Sequence, residues 1–340
     1  MTAYIIRRLI AAVLLLLVVT AVTFVIFFEI PRLAGESATQ LAAQYVGRDP
    51  SPESIAAVKK NLGLDQPLYH QYWEFIKQIF VGRHFNYGPD KAVCHAPCFG
   101  YSFKNHLPVW PDIKARVPVT LSLAIGAAVI WVISGVLIGV ISALRPGSFF
   151  DRFSMVIALA GVSLPIFFTG LLAKSIFVYG PSWLHIWQEI QYTSFTKNPG
   201  EWASNLVLPW ITLAFLYAAL YARLTRAGML ETMNEDYIRT ARAKGLRERR
   251  VVIRHGLRSA LTPIVTIFGL DFGLLLGGAV LTESVFNLPG IGYYAYTAIA
   301  VNNDLPQILG VVIVAAFFVV VCNLIVDIIY AVVDPRVRYA

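Results

Sequence analysis

The chain has 340 residues, enough for two soluble domains, yet 57% of them are hydrophobic, only 14% are charged, and the mean hydropathy is +0.64. Its apolar residues form runs too long for the interior of a soluble domain, whereas a bilayer accepts a run of about 20 residues. The formal net charge of +8 fits a membrane protein whose basic residues gather in the loops of one face, so it is weak support for nucleic-acid binding.

Six segments are long and apolar enough to cross a membrane. They are residues 9–28, 118–144, 153–179, 202–220, 261–281 and 306–333. The first follows Arg7 and Arg8, as the core of a signal peptide would, but it is longer than such a core and no small-residue cleavage site follows it directly. We therefore expect it to stay as the first span of an all-α integral membrane protein with six transmembrane helices.

The basic residues give the expected orientation, because short cytoplasmic loops are enriched in lysine and arginine. Such residues lie before the first span, between the second and third, and after the last, and the loop of residues 221–260 contains ten. Residues 283–305 contain none. Both termini and the 221–260 loop are therefore expected in the cytoplasm.

Residues 29–117 then lie outside the cytoplasm, with ten basic and eight acidic residues in near balance. Ser51 and Pro52 predict the start of a capped helix that Gly63 ends, and residues 67–81 are a second helical candidate. We expect a small, partly helical cap rather than an independent enzyme. The chain thus divides into a tail with the first helix, a cap, and a membrane core, at residues 1–28, 29–117 and 118–340.

Two of the three cysteines lie in HFNYGPDKAVCHAPCFGYSFKNH, residues 84–106. Cys94 and Cys98 are close enough in sequence to form a disulfide, which an oxidising compartment favours. Two free thiols are an alternative, and a metal site would recruit the histidines of this segment, although the spacing matches no standard zinc pattern. In each case the expected role is to fix a loop.

Three charged side chains fall within the predicted spans. Asp271 is ten residues into the fifth span, near the bilayer midplane, where a carboxylate is costly and usually faces a cavity or a partner. It is either a structural residue packed by the adjoining glycines or a polar group lining a translocation path. Lys174 and Asp327 lie nearer the span ends, where a charge can reach the interface, so we expect them to be structural or anchoring residues.

The third span contains GVSLPIFFTG, residues 161–170. Pro165 removes a backbone donor, and the hydroxyl of Ser163 can help satisfy the carbonyl that this leaves free. A kinked packing helix and a kink beside a pore both fit these residues. The sequence contains no GxxxxGK[ST] loop, no HExxH and no nucleophile elbow, so any uphill transport would need an ion gradient or another subunit.

The densest positive charge lies in RTARAKGLRERRVVIRHGL, residues 239–257, which is net +6. With its flanks it resembles the cytoplasmic EAA loop of bacterial ABC importer permeases: Glu-Ala-Ala, three residues, Gly, nine residues, then Ile-x-Leu-Pro. Arg239, Thr240 and Ala241 stand at the Glu-Ala-Ala position, and the strict matches are Ala241, Gly245 and Leu257. The TARAKG core followed by RHxLRxAL is typical of the dipeptide/oligopeptide branch.

The resemblance extends over nearly the whole chain. Segments similar to this branch are YIIRRLI, NLGLDQPLYHQYWEFI, RVPVTLSLA, GVSLPIFFTG, GGAVLTESVFNLPGIG and NLIVDIIYAVVDPRVRY. The resemblance implies a type I ABC importer permease fold. It also implies that residues 239–258, within the 221–260 coupling loop, form a helix that docks into a groove of an ATPase subunit.

The residues of the loop fit that role. Thr240 to Lys244 can form a helical turn, and Gly245 permits the left-handed conformation that ends it. The small side chains of Ala241 and Ala243 permit close approach of a partner, and the arginines can meet carboxylates or lipid headgroups. A helix that only lies on lipid is the alternative for this stretch.

The resemblance also implies partners and a path. The chain would be the first of two different permeases, working with two cytoplasmic ATPase subunits, an extracytoplasmic substrate-binding protein and membrane lipids, without nucleic acid. ATP and magnesium would bind the ATPase subunits, with no cofactor on this non-catalytic chain. Candidate path residues are Ser163, Pro165, Asp271 and Glu283.

The expected cargo is a di- or oligopeptide, imported by alternating access across the bacterial cytoplasmic membrane. Relatives that share these motifs carry nickel, glutathione or a short oligosaccharide, so these cargoes are alternatives. Outside this class, Asp271, Asp327 and Lys174 also fit an ion-coupled secondary transporter, and the basic loop fits a membrane anchor that recruits partners without moving cargo. Transport that follows an ion gradient and ignores ATP would distinguish the secondary transporter.

Overall fold

The computed structural model describes residues 2–46, 51–87, 90–102, 105–181, 183, 191–302 and 304–333, which are mainly helical. The helices are α1 Thr2–Phe24, α2 Ile30–Leu33, α3 Ala38–Val46, α4 Pro52–Leu62, α5 Leu68–Val81, α6 Val109–Leu144, α7 Phe149–Ser163, α8 Ile166–Phe177, α9 Pro199–Met233, α10 Asp236–Ala243, α11 Glu248–Arg250, α12 Arg258–Leu276, α13 Val280–Val285, α14 Ile291–Tyr296 and α15 Leu305–Val333. Three π-helical stretches occur, at Val25–Glu29, Val251–Leu257 and Thr297–Asn302. The strands are β1 Arg83–Tyr87, β2 Asp90–Cys94, β3 Tyr101–Ser102 and β4 Leu107–Pro108.

Within the described residues, five helical segments are long and apolar enough to cross a membrane, and a bent pair can supply a sixth. The five are Tyr4–Leu33, Val109–Leu144, Pro199–Met233, Glu248–Leu276 and Leu305–Ile328. The number of spans is six, as predicted, when α7 and α8 are counted together as one crossing. Three of the predicted spans were too short: the first apolar helical segment covers Tyr4–Leu33, Pro118 lies inside α6 without ending it, and α9 continues to Met233. The fifth span was predicted to reach residue 281, but α12 ends at Leu276.

The third span differs from the single helix expected over residues 153–179. It consists of α7 and α8, whose axes are bent by 106°. Leu164 and Pro165 between them have extended backbone, with ψ of 131° and 139°. A residue before proline disfavours helical ψ, and proline has no N–H to continue the ladder, so the break falls here.

The membrane core is built on close packing of α6 against α9. Gly135 and Gly139 are one helical turn apart on α6, and Cβ atoms added there would lie 2.7 Å from the Cβ of Tyr221 and 2.5 Å from the Cβ of Thr225. Without side chains at these positions the two backbones can approach, as small residues allow in membrane helices. This packing buries Trp131 and Tyr221 completely.

The helices α12 and α15 also approach each other closely at glycines. Cβ atoms added at Gly269 and Gly273 would lie 2.2 Å from Val326 Cγ2 and 3.3 Å from Cys322 Cβ. The outer helix α1 lies against α15, where Arg8 Nη1 and Asp327 Oδ2 form an ion pair of 3.1 Å near their cytoplasmic ends. The expectation of an anchoring role for Asp327 has a concrete partner in Arg8.

The cap between α1 and α6 contains the two predicted helices. Ser51 caps α4 by accepting the N–H of Ser54 at 3.1 Å, and Gly63 ends α4 with a φ of 65°. The second candidate is α5. Two antiparallel hairpins follow, pairing β1 with β2 and β3 with β4.

A polar cluster joins the cap to the start of α15. The buried hydroxyl of Ser102 contacts the carboxylate of Asp304 and accepts from Gln307 Nε2 at 3.3 Å. Because Asp304 immediately precedes α15, this cluster fixes the second hairpin on the core.

An ion pair fixes the cytoplasmic end of α7 to α9. Arg226 donates from Nε and Nη2 to the two carboxylate oxygens of Asp151 at 2.6 and 2.8 Å. The same carboxylate accepts the N–H of Gly147 at 2.8 Å. Bidentate pairs of this kind are stronger and more directional than single hydrogen bonds, so the turn between α6 and α7 is held to the helix that leads into the coupling loop.

Candidate functional site

The coupling loop presents a short, well-defined helix, α10, directly after α9. One face of α10 packs on the chain itself, because Ile238 and Ala241 are buried with Val251, at the start of the π-helical stretch before α12. Met233 and Leu246 pack against the same cluster. Apolar contacts therefore attach α10 to the helices on both sides of it.

Gly245 ends this helix as the sequence predicts. Its φ is 72°, and a Cβ added there would have nothing within 4 Å. Glycine is therefore needed for the left-handed backbone and not for space. Arg242 closes the turn behind it, donating from Nη2 and Nε to the carboxylate of Glu248 at 2.8 and 3.2 Å.

The exposed face of α10 and of the turn after it carries four of the predicted coupling residues. These are Arg239, Thr240, Ala243 and Lys244. The expectation that a small Ala241 lets a partner approach is wrong in its detail, because Ala241 is turned toward Ile238 and Val251. Leu257 likewise packs beside Met229 and Ala260 in a separate apolar cluster, so these two residues position the loop.

Asp271 points toward α9 and away from the glycines beside it. Tyr221 donates its hydroxyl to Asp271 Oδ2 at 2.9 Å, while Gly269 and Gly273 face α15. The side chain of Asp271 is only half-buried. The adjoining glycines therefore do not pack around this carboxylate, as one of the two expectations held. Its partner is Tyr221, and one side of it is partly open.

Aromatic side chains surround this position. Trp131 stacks on Tyr217 with ring centroids 4.7 Å apart and contacts Tyr221 edge-on at 6.2 Å. Tyr217 also lines a cavity of about 310 Å³. The other lining residues are Ile166, Leu213, Leu274, Leu275, Gly278, Ala279, Val280, Leu281 and Thr282. The cavity and Asp271 thus share one aromatic neighbourhood between α9 and α12.

Ser163 and Pro165 lie at the break between α7 and α8 and are exposed. Ser163 Oγ donates to the carbonyl of Leu159 at 2.8 Å, and not to the carbonyl of Gly161, which Pro165 leaves without its helical donor, so the expected role of this hydroxyl is not observed. The two glycines that bracket the break are buried, and Cβ atoms added to them would lie 3.0 Å from Ala219 and 3.1 Å from Val285. The bend is therefore held at both ends.

Glu283 lies on α13 with none of its surface exposed. Its Oε1 accepts the Thr120 hydroxyl at 2.8 Å, its Oε2 accepts the Tyr293 N–H at 2.8 Å, and Thr120 Oγ1 accepts the Ile291 N–H at 2.9 Å. Burial raises the pKa of Glu283, and these hydrogen bonds oppose the rise. We call Thr120, Glu283, Ile291 and Tyr293 the Glu283 clasp, because they tie α13 and α14 to α6.

The clasp leaves no room at Gly290. A Cβ there would lie 2.4 Å from both Cδ and Oε2 of Glu283. Beside it, Lys174 Nζ donates to the carbonyl of Val285 at 3.2 Å and so ties α8 to the end of α13. The structure therefore brings Glu283 into a packed support for the outer loop, apart from the lining of the cavity.

The cap segment carries a disulfide between Cys94 and Cys98. Within the residues that the structure describes, no group of three or more His, Cys, Asp or Glu side chains could hold a metal ion. The disulfide follows the β1–β2 hairpin, where it fixes the loop that leads to β3.

Several supporting residues had no signal in the sequence. Thr120 lies inside a predicted span and Tyr221 at the first position of the predicted 221–260 loop, and their partners are 163 and 50 residues away in the chain. A hydroxyl on a membrane helix is too common to single out by itself. The charged pair of Asp151 and Arg226 was visible as two charges beside spans, but not as a pair.

Comparisons with known sequences cover the full length. Residues 135–339 match the family described as the binding-protein-dependent transport system inner membrane component, and residues 1–124 match its N-terminal counterpart. The glutathione transport system permease protein GsiC of Escherichia coli (strain K12) is 36% identical over 339 residues, which is 100% of each chain. A Brucella abortus (strain 2308) protein, provisionally named as a peptide transport system permease, is 38% identical over 339 residues and 100% of each chain.

A solved structure has a similar fold. A chain from inward-facing conformations of the MetNI methionine ABC transporter aligns with a TM-score of 0.52 and 19% identity, covering 66% of this chain and 97% of that one. At this identity the likeness concerns the fold alone, which is the one expected for a type I importer permease.

Proposed function

The chain belongs to the family of binding-protein-dependent transport system inner membrane components, and from this membership we propose that it imports di- or oligopeptides as one of two different permease subunits. It is the non-catalytic membrane subunit of an ABC importer in the bacterial inner membrane. Such an importer works with an ATPase and a substrate-binding protein. Two cytoplasmic ATPase subunits, with ATP and magnesium, would complete the assembly proposed here.

The observation that carries the coupling proposal is the geometry of α10. Apolar contacts hold its inner face to Met233 of α9 and to Val251 of the π-helical stretch before α12, while the side chains of the opposite face are exposed. A helix that is fixed on one side and open on the other can transmit the movement of a bound ATPase to both spans. ATP can drive transport only if it binds one conformation of the assembly better than the other, and α10 would connect that difference to the spans.

The peptide cargo is supported by the full-length relatives, whose names include glutathione and peptide transport. Nickel and short oligosaccharides remain alternatives. An ion-coupled secondary transporter has less support, because Lys174 bonds a backbone carbonyl and Asp327 pairs with Arg8. Only Asp271 of the three intramembrane charges is left for that mechanism.

Purification with the copurifying subunits tests the function. In proteoliposomes that contain the assembled complex, peptides with their binding protein are expected to stimulate ATP hydrolysis and to accumulate inside. The same complex given nickel or a short oligosaccharide should respond less. A preparation without any associated ATPase, or uptake driven by an ion gradient alone, would reject the proposal.

We propose that Asp271 binds the positively charged amino end of the cargo as it passes the cavity beside Tyr217. Asp271→Asn should then lower uptake of peptides with a free amino terminus roughly tenfold, the effect of losing about 1.4 kcal/mol of interaction. N-acetylated peptides should be affected much less. Uptake assays on the reconstituted complex, with both peptide forms in parallel, measure the difference.

Asp327→Asn is the matched control, since it also removes a carboxylate from a span but one that pairs with Arg8. It should affect free and acetylated peptides equally. If Asp271→Asn leaves the preference for a free amino terminus unchanged, Asp271 is a structural partner of Tyr221.

A further inference from the structure

The outward face of α5 is aromatic although α5 belongs to the cap. Tyr69, Trp73 and Phe80 are 78%, 63% and 76% exposed, and Lys77 lies between them on the same side of the helix. Their spacing of four and seven residues places them on one stripe. A stripe of large rings facing water is unfavourable, so this face needs an occupant.

The inward face of α5 carries two buried amides beside the buried ring of Phe75. Gln71 is buried, donates to the carbonyl of Gln66 at 2.6 Å and accepts from Arg32 at 3.1 Å. Gln78 is also buried and accepts from Arg83 at 3.3 Å. A helix with its amides satisfied inside and its rings outside is suited to an apolar surrounding, where water cannot satisfy polar groups.

The position of α5 along α1 gives its depth. Tyr72 donates its hydroxyl to the carbonyl of Leu17 at 3.2 Å, and its ring lies 5.5 Å from that of Phe24. Leu17 and Phe24 lie about 14 and 24 Å along the helix from Arg8, at a rise of about 1.5 Å per residue. If Arg8 marks the cytoplasmic boundary, both contacts lie inside a hydrocarbon layer about 30 Å thick.

The helix α15 gives a second measure, taken from the same ion pair. Leu309 and Ile313 belong to the same apolar cluster as Phe75 of α5 and Phe24 of α1. They lie about 27 and 21 Å along the helix from Asp327, the ion-pair partner of Arg8. Both measures therefore place the base of the cap, including α5, within the outer part of the bilayer.

We infer that α5 is an interfacial helix embedded in the outer leaflet of the membrane, with Tyr69, Trp73 and Phe80 in contact with lipid. Lys77 Nζ pairs with Glu74 Oε1 at 3.5 Å on the same helix, and this partly exposed pair lies where it can meet the headgroups, as charged groups near an interface do. Tyrosine and tryptophan are the residues enriched at this level of membrane proteins. The expectation that all of residues 29–117 lie outside the membrane is revised accordingly, with α5 packed beside α1 like a partial span.

Spin labelling tests the depth of α5. In the full-length permease reconstituted in lipid nanodiscs without a binding protein, a nitroxide attached at Phe80→Cys should collide several-fold more with oxygen than with a water-soluble nickel chelate. The native cysteines interfere little, since Cys94 and Cys98 are bonded and Cys322 is buried. A label at Glu53→Cys, exposed on α4, should show the opposite preference.

A second label at Trp73→Cys keeps the test decisive if the Phe80 variant does not fold. Equal exposure to the nickel chelate at positions 80, 73 and 53 would overturn the inference. The inference would also be overturned if labels at positions 73 and 80 are exposed to the chelate in the free permease and become protected only when a substrate-binding protein is added. That result would assign the aromatic stripe to protein docking.

Discussion

Gly245→Val is expected to separate ATP hydrolysis from uptake while leaving the chain inserted in the membrane. The left-handed φ of 72° at this position costs a residue with a Cβ about 1–2 kcal/mol, and a β-branched side chain more. The turn is exposed, and the hydrogen-bonded ion pair of Arg242 with Glu248 closes it. The strain should therefore move α10 rather than unfold the spans. We expect uptake to fall at least tenfold in proteoliposomes, with ATP hydrolysis no longer stimulated by substrate.

Gly245→Asn is the matched control, because asparagine tolerates the left-handed region and the position has open space around it. It should keep most of the uptake despite its larger side chain. If valine and asparagine are equally harmful, contact with the partner rather than backbone conformation limits this position. Normal uptake with valine would contradict the coupling assignment.

Glu283→Ala is expected to have the largest effect on stability. It leaves the Thr120 hydroxyl and the Tyr293 N–H without their buried acceptor, and each such loss costs about 1–3 kcal/mol. It also leaves a cavity in a fully packed site. Thermal unfolding of the detergent-solubilised chain should begin several degrees lower, and a cysteine introduced into α13 or α14 should react faster with a thiol reagent than it does in the parent chain.

Two variants separate the Glu283 clasp from a general effect of mutation. Gly290→Ala disturbs the same carboxylate from the opposite side, with a Cβ only 2.4 Å from its Cδ, and should destabilise the chain as well. Ser284→Ala removes a neighbouring buried hydroxyl that has no hydrogen-bond partner among the described residues, and should be nearly neutral. Equal unfolding temperatures for Glu283→Ala and Ser284→Ala would refute the role of the clasp.

Local signals in the sequence predict local structure well in this chain. Ser51 and Gly63 delimit α4, and Gly245 takes the left-handed conformation, because caps and left-handed turns depend on a few neighbouring residues. The apolar runs predict the spans because a membrane helix requires only a continuous apolar stretch of about 20 residues. The exception is the break at Leu164 and Pro165, since a proline in a membrane helix permits a kink without setting its angle.

The candidate site depends on pairings that no local pattern contains. Asp271 stands out as an intramembrane carboxylate, but its partner Tyr221 is defined only when α9 packs against α12. Glu283 stands out as an acid in an outer loop, while its burial depends on Thr120 of α6. Ala241 matches the family pattern, yet which side of α10 it occupies depends on Val251.

The direct passage from α9 into α10 has a mechanical consequence. Met233 ends α9 and packs against the cluster that holds α10, while Tyr221 lies three turns earlier in the same helix. The intervening 12 residues form a rod of about 18 Å, so a tilt of about 10° about Tyr221 displaces Met233 by about 3 Å. Read in reverse, a 3 Å stroke at the ATPase surface turns the Tyr221 backbone by the same angle. Because Tyr221 is the pivot, its own hydroxyl moves by far less than 3 Å, and the turn re-aims the 2.9 Å bond to Asp271; in the proposed coupling, α9 is therefore a lever between the two sites.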